Sequence, residues 1–278
     1  MAVSLSFSAP TPVIAAFPGE NGALAFVREG HGRGIWRLDG LNLTRLTHGE
    51  DYRPRWSPDG SRIVFQRFEG SPPHSNIFVM DADGSDVRQL TVKGGFQPAW
   101  APDGSKIVFG SERDGDEDIF VMAADGSGEM KATRNTFADF TPAWSPDGTR
   151  IAFASRRHGN TDLYLMAPDG SDEVRVTRND SQDRDPDWAP DGSRLAFQSN
   201  RHGWDIYVKD VEHGLPIRWT RGRALDWAPA WAPDATKIAY TRLRSGVQDV
   251  VILDLASGDR LRLTMAGTSE VEPNWQPV

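Results

Sequence analysis

Six tryptophans recur along this chain at nearly constant intervals: Trp56, Trp100, Trp144, Trp188, Trp231 and Trp275, with steps of 44, 44, 44, 43 and 44 residues. Five of them stand in near copies of one hexamer: RWSPDG from residue 55, AWAPDG from 99, AWSPDG from 143, DWAPDG from 187 and AWAPDA from 230. A period of this size is the signature of a propeller or a solenoid.

Within one period the residues read as four strands. An extended piece covers Arg53 to Ser57, followed by a Pro-Asp-Gly turn, then RIVFQR (62–67), NIFVM (76–80), a second turn DADGS (81–85) and VRQLT (87–91). Pro presets the first turn dihedral and Gly accepts the left-handed position that closes a short hairpin. The second and third strands are continuous apolar runs without polar alternation, so both faces of each sheet must be covered. Blades stacked against two neighbours meet that demand.

The two ends of the chain supply the count. NGALAFVREG (21–30), GIWRL (34–38) and LTRLT (43–47) match strands two to four of a repeat, but no Pro-x-Trp strand precedes them. That strand occurs at the far end, as VEPNWQPV (271–278). The two fragments make one whole blade if the ring closes, which removes both exposed edges; a linear solenoid needs capping repeats instead. The predicted fold is all-β: a six-bladed β-propeller of four-stranded antiparallel blades, closed by the C-terminal strand. The expected organisation is an N-terminal extension (1–16) and a single propeller (17–278). Blade 1 combines 17–49 with 270–278, and blades 2 to 6 span 51–93, 95–137, 139–181, 183–224 and 226–268.

The pattern W-[SA]-P-D-G, an I-A-F type strand, [DN]-[IL]-[FY]-V-M, a D-G turn and a final L-T resembles the TolB-like propeller repeat, also called the WD40-like PD40 repeat. FPGENGALAFV (17–27) resembles the opening of the first blade in such proteins. The resemblance covers roughly residues 17 to 278 and implies a six-bladed propeller. It leaves function open, because such propellers serve as protein-docking modules, as accessory domains of peptidases or transport assemblies, and occasionally as enzymes. It also implies a periplasmic or extracellular site of action, whereas the start MAVSLSFSAP, lacking the basic region and apolar core of a secretory signal, reads as cytoplasmic if the chain is complete.

Charge narrows the partners. Lys and Arg total 31 against 39 Asp and Glu, a formal net charge of -8, which repels phosphate backbones and anionic lipid heads. Nucleic acid is not expected as a partner, and no apolar run reaches the length of a membrane span. A monomer is expected. The absence of cysteine rules out disulfides and thiolate chemistry. Nucleophile elbows, HExxH, P-loops and dinucleotide fingerprints are absent.

Alternation of antiparallel strands sorts the connections onto two faces. The Pro-Asp-Gly and Asp-Gly turns share one face, where Asp59, Asp103, Asp147 and Asp191 serve local backbone hydrogen bonds. Each tryptophan is read as a wedge between blades. The opposite face carries varied loops, which makes it the candidate binding face. Arg113, Arg157, Arg201 and Arg244 open these loops and Asp118, Asp162, Asp205 and Asp249 end them, so an Arg-to-carboxylate bridge inside each hairpin is expected. His158 and His202 hold equivalent loop positions in adjacent blades, and Trp204 follows closely.

Five residues before each tryptophan stand Asp51, Gly95, Asp139, Asp183, Asp226 and Glu270. Two readings stand. The acids Asp51, Asp139, Asp183, Asp226 and Glu270 ring the channel mouth and hold a hard cation such as Ca²⁺, or each accepts hydrogen bonds from its own loop. The next positions, Tyr52, Phe96, Phe140, Arg184, Trp227 and Val271, form a collar that packs between blades or borders a peptide pocket. The leading expectation is therefore a non-enzymatic module that docks a protein or peptide on the loop face. The alternatives are a metal-dependent hydrolase or lyase at the channel, and an accessory domain of a larger assembly.

Overall fold

A computed structural model describes residues 21–71, 74–263 and 268–277. The expected N-terminal extension, residues 17–20 and Val278 lie outside the described residues. Blade 1 contains β1 (Leu24–Glu29), β2 (Gly34–Asp39) and β3 (Asn42–Arg45). Blade 2 contains β4 (Asp51–Trp56), β5 (Arg62–Glu69), β6 (His74–Asp81) and β7 (Arg88–Gln89). Blade 3 follows with β8 (Phe96–Trp100), β9 (Lys106–Ser111), β10 (Asp118–Ala123) and β11 (Met130–Lys131). Blade 4 has β12 (Asp139–Trp144), β13 (Ile151–Ser155), β14 (Asp162–Met166) and β15 (Val174–Arg175), and blade 5 has β16 (Asp183–Trp188), β17 (Arg194–Ser199), β18 (Asp205–Asp210) and β19 (Ile217–Arg218). Blade 6 comprises β20 (Leu225–Trp231), β21 (Lys237–Arg244), β22 (Val247–Asp254) and β23 (Arg260–Arg262), leaving β24 (Ser269–Trp275).

The last strand returns to the first blade. β24 pairs antiparallel with β1, placing Trp275 opposite Leu24 and Glu270 opposite Arg28, and the sheet order there is β24-β1-β2-β3. The other five blades are four-stranded sheets in simple sequence order. Strands β4, β8, β12, β16, β20 and β24 touch one another in sequence and back to β4, so they form the inner wall of a closed ring. The described residues are all-β, in six four-stranded antiparallel blades.

The tryptophans pack as wedges. Trp56 lies among Ala25, Val27 and Ile35 of blade 1 and Ile63 and Phe65 of blade 2. Trp144 lies in the same way among Val108 and Ile119 of blade 3 and Phe153 of blade 4. Trp275 joins blades 6 and 1 through Ala239, Ile252 and Phe26. All six indoles at these positions are under a tenth exposed.

The threonine that ends each of the first five blades has a specific purpose. Thr47, Thr91, Thr133, Thr177 and Thr220 each accept, through Oγ1, the backbone N–H of a residue in the third strand of the same blade. The hydroxyl thereby replaces a ladder bond where the outer strand has shrunk to two residues in blades 2 to 5. On the turn face, Asp103 and Asp191 accept the backbone N–H and hydroxyl of the serine two residues on, at 2.7–2.9 Å. These aspartates close turns.

Candidate functional site

The inner wall contains an irregularity that sets the geometry of the channel. In each innermost strand the residue before proline has a left-handed backbone: Arg53, Gln97, Thr141, Asp185, Ala228 and Glu272, with φ between 49° and 56°. Pairing with the second strand shifts register at each of these points. Proline cannot complete the ladder and marks the bulge.

Turning the backbone in this way frees one N–H per blade, and the preceding blade accepts every one. Glu272 accepts from Arg53, Gln66 from Gln97, Gln97 from Thr141, Thr141 from Asp185, Gln198 from Ala228 and Thr241 from Glu272. The donor–acceptor distances run from 2.8 to 3.3 Å. A buried unpaired amide costs about 1–3 kcal/mol, so these six bonds hold neighbouring blades together at the axis.

Ion pairs cross that axis. Arg53 of blade 2 donates from Nη1 to Asp185 Oδ1 of blade 5 at 2.9 Å and lies 2.9 Å from Glu272 of blade 1. Burial works against the Arg53 charge, but Asp185 and Glu272 overcome it and hold its pKa above the ordinary value. Two residues on, Arg55 stands 3.7 Å from Asp187. The remaining void among these residues is about 10 Å³, room for roughly one water. The channel therefore has a floor.

The acids expected at the mouth are present and almost fully buried, but arginines neutralise them within their own blades. Arg67 grips both oxygens of Asp51 at 2.6 and 3.0 Å, and Arg242 grips Asp226 at 2.8 Å on each. Arg157 meets Asp139 at 3.2 Å, Arg201 meets Asp183 at 2.7 Å and Arg28 meets Glu270 at 2.9 Å. Burial raises the pKa of Asp139, while Ser155, Asn135 and Arg157 oppose it. No group of three or more His, Asp or Glu side chains is placed to hold a metal among the described residues. The structure thus pairs each of these five acids with an arginine of its own blade.

The bridge expected inside each loop hairpin does not form among the described residues. Arg157 and Arg201 reach back to the first strand, while the acids at the loop ends pair outward with the fourth strand. Asp118 meets Lys131 at 2.5 Å, Asp162 meets Arg175 at 2.6 Å, Asp205 meets Arg218 at 2.6 Å and Asp249 meets Arg262 at 2.8 Å. Strand two lies between strands one and three, and strand three between two and four, so the arginine after strand two reaches the acid of strand one while the acid that opens strand three reaches the cation of strand four.

The collar residues split. Phe140 is buried and packs with Phe96, Leu163 and Phe197, whereas Tyr52, Phe96, Arg184 and Trp227 are half-buried. Tyr52 meets Phe68 edge-on at 5.8 Å. His158 and His202 are exposed, and each engages a tyrosine of its own blade: Tyr164 at 2.5 Å and Tyr207 at 3.0 Å. Trp204 is half-buried beneath Arg184, whose guanidinium lies 5.1 Å from its ring.

Blade 3 breaks the acidic pattern with Gly95, and a cleft opens beside it. Its volume is about 620 Å³, and Phe68 and His74 of blade 2 face Phe96, Arg113 and Glu117 of blade 3 across it. A β-carbon on Gly95 would lie 2.8 Å from Ile77 Cγ1 and 3.2 Å from the Phe109 ring, so no acid fits there. Arg113 pairs with Glu129, as Arg157 does with Glu173, and where Arg157 meets Asp139, Arg113 donates instead to the Gly94 carbonyl at 2.9 Å. Val92, Phe137 and Leu225 stand exposed at the same face, 78%, 45% and 37% accessible.

Residues 40–139 and 131–222 match the PD40 family, described as the TolB beta propeller domain. The chain belongs to this PD40 family. No curated protein matches it. Among solved structures, this PD40 propeller is similar to TolB from Acinetobacter baumannii, with a TM-score of 0.83 at 20% identity over 92% of this chain and 67% of that one. It is similar to a putative TolB from Agrobacterium tumefaciens, with a TM-score of 0.72 at 19% identity over 93% of this chain and 99% of the other. An oligogalacturonate lyase in complex with manganese aligns with a TM-score of 0.60 at 16% identity over 84% and 74%. At such identities the likeness is one of fold, and one fold serves proteins of different chemistry. Among the described residues no helix is long and apolar enough to cross a membrane.

The bulge residues of this PD40 propeller escape a reading by residue type. Arg53, Gln97, Thr141, Asp185, Ala228 and Glu272 share no chemistry. The signal that finds them is the constant proline that follows, at residues 54, 98, 142, 186, 229 and 273.

Proposed function

We propose that this PD40 propeller docks an extended segment of a protein partner on its loop face, seated in the cleft between blades 2 and 3 and lying over the closed channel mouth. The observation that carries this reading is the floor formed by Arg53, Asp185 and Glu272, which turns the mouth into a blind cup rather than a passage. The cleft volume of about 620 Å³ falls within the range of ligand-binding clefts. In the cleft Phe68, Val92 and Phe96 supply apolar contact, and His74, Arg113 and Glu117 supply polar contact, the composition of an interface with an apolar centre and polar rim. The opposite face offers repeated tight turns whose aspartates are engaged by their own backbone.

The test is selection of hexapeptides from a displayed library on the immobilised protein, followed by affinity measurement on variants. Val92→Glu combined with Phe68→Ala should weaken the selected peptides about tenfold or more, since two apolar contacts are removed and a charge is placed among them. Asp191→Lys on the turn face should leave them unchanged. The reading falls if the turn-face variant abolishes binding instead, or if no peptide is selected.

A further inference from the structure

We propose that Arg156 and Arg184 form a carboxylate-binding subsite at the channel mouth, so that the docked segment is an acidic one; the proposal rests on the peptide-docking reading above. Arg156 directly follows β13 on blade 4, and Arg184 is the second residue of β16 on blade 5. The Arg156 guanidinium lies 5.1 Å from the Phe140 ring and that of Arg184 lies 5.1 Å from the Trp204 ring. A guanidinium held on an aromatic face keeps its in-plane N–H donors free for a carboxylate.

Other arginines at this end are occupied. Arg67, Arg157, Arg201 and Arg242 each grip the first-strand acid of their blade. Neither Arg156 nor Arg184 has a carboxylate within ion-pair distance among the described residues. Arg184 Nη2 donates to Gln182, but its Nε is buried without a hydrogen-bond partner. That buried Nε lies out of a ligand's reach, so the donors Arg184 offers are its Nη groups, of which Nη1 makes no hydrogen bond among the described residues.

The two cations feel each other. Burial first, and then the charge of Arg156, lowers the pKa of Arg184. Glu117 is the nearby acid; burial raises its pKa, Arg156 and Arg184 pull it down, and it pairs directly with neither. Asp185 also draws on Arg184 but is held by Arg53, and Glu112 beside Glu117 is exposed, so Glu117 is the one half-buried carboxylate near the two arginines that no cation pairs among the described residues. A ligand carboxylate between the two forks supplies the missing charge and meets the free donors in the bidentate manner that arginine favours.

The probes are the hexapeptides selected on the loop face, each resynthesised as selected, with an amidated C-terminus, and with every Asp and Glu replaced by Asn and Gln. Charge-assisted hydrogen bonds of this kind correspond to a loss of about tenfold in affinity for the form that lacks the recognised carboxylate. The amidated and side-chain-neutral forms show which carboxylate is read. The double variant Arg156→Met, Arg184→Met should bind all three forms equally, with an unchanged melting temperature, and Arg184→Lys should restore part of the preference. Selected peptides that bind equally well in all three forms would overturn the inference and leave the docking reading standing, as would a double variant that keeps the full preference. Failure to select any peptide overturns both.

Discussion

Arg53 and Asp185 meet at 2.9 Å from opposite sides of the ring, blade 2 reaching blade 5 across the axis. In a six-membered ring these blades are diametrically opposed, so the pair braces the propeller along a diameter, while Glu272 fastens the same guanidinium to the blade that holds the C-terminal strand.

Removing the arginine should therefore harm more than one blade. Arg53→Met leaves two largely buried carboxylates without their cation, and the expected loss is about 3 kcal/mol in urea-induced unfolding. Adding Asp185→Asn to that variant should recover part of the loss, because an amide is cheaper to leave beside a methionine than a charge.

The Asp226 and Arg242 pair makes a second case. Asp226→Asn removes one of the two charge-assisted bonds and leaves Arg242 without a counter-ion, a change expected to cost about 2 kcal/mol. Because the first-strand acids are engaged by arginine, calcium or EDTA should leave the melting temperature of the parent protein unmoved; a rise of several degrees with calcium would refute that assignment.

Ring closure is testable through its last strand. Trp275→Ala empties an indole site between blades 6 and 1, with an expected loss of about 3–5 kcal/mol. Deleting residues 269–278 removes the whole inner strand of blade 1 and should yield aggregated protein without a cooperative melt.

The turn aspartates give an acid-side signature. Hydrogen bonds from the Ser57 and Ser61 hydroxyls and the Ser61 backbone hold the pKa of Asp59 down at about 2. An acid depressed in the folded state adds stability above its unfolded value, near 4, and loses it as pH falls through about 2. Asp59 is exposed, so Asp59→Asn should cost less than about 1 kcal/mol at pH 7. The difference between the two proteins should shrink as unfolding is followed from about pH 4 down to about pH 2.

Restoring the acid missing from blade 3 should fail. The repeat suggests Asp at position 95, but a β-carbon there would lie 2.8 Å from Ile77 Cγ1 and 3.1 Å from Thr91 Oγ1. Gly95→Asp is expected to destabilise by about 1–3 kcal/mol, read from the denaturation midpoint.

The blade count and closure were legible because a period of 44 residues and two complementary end fragments admit few architectures. Trp56 and Trp144 sit as wedges because an indole between alanines and branched side chains has little other use. The partners of the charges were not legible. Asp139 and Asp162 look equivalent as acids flanking a loop, yet one turns to the second strand and the other to the fourth, and that choice depends on which strand lies adjacent in the sheet. Arg53 and Asp185 stand 132 residues apart in dissimilar sequence settings, and only the closed ring brings them face to face.

The bulge amides give the ring a sense of rotation. Each is capped by a side chain of the blade before it, never of the blade after, so damage propagates one way round. Replacing Gln66 of blade 2 should loosen the amide of Gln97 in blade 3 while leaving that of Arg53 protected. Hydrogen exchange in this molecule should thus be handed, and a wound in one sheet should be read on its downstream neighbour.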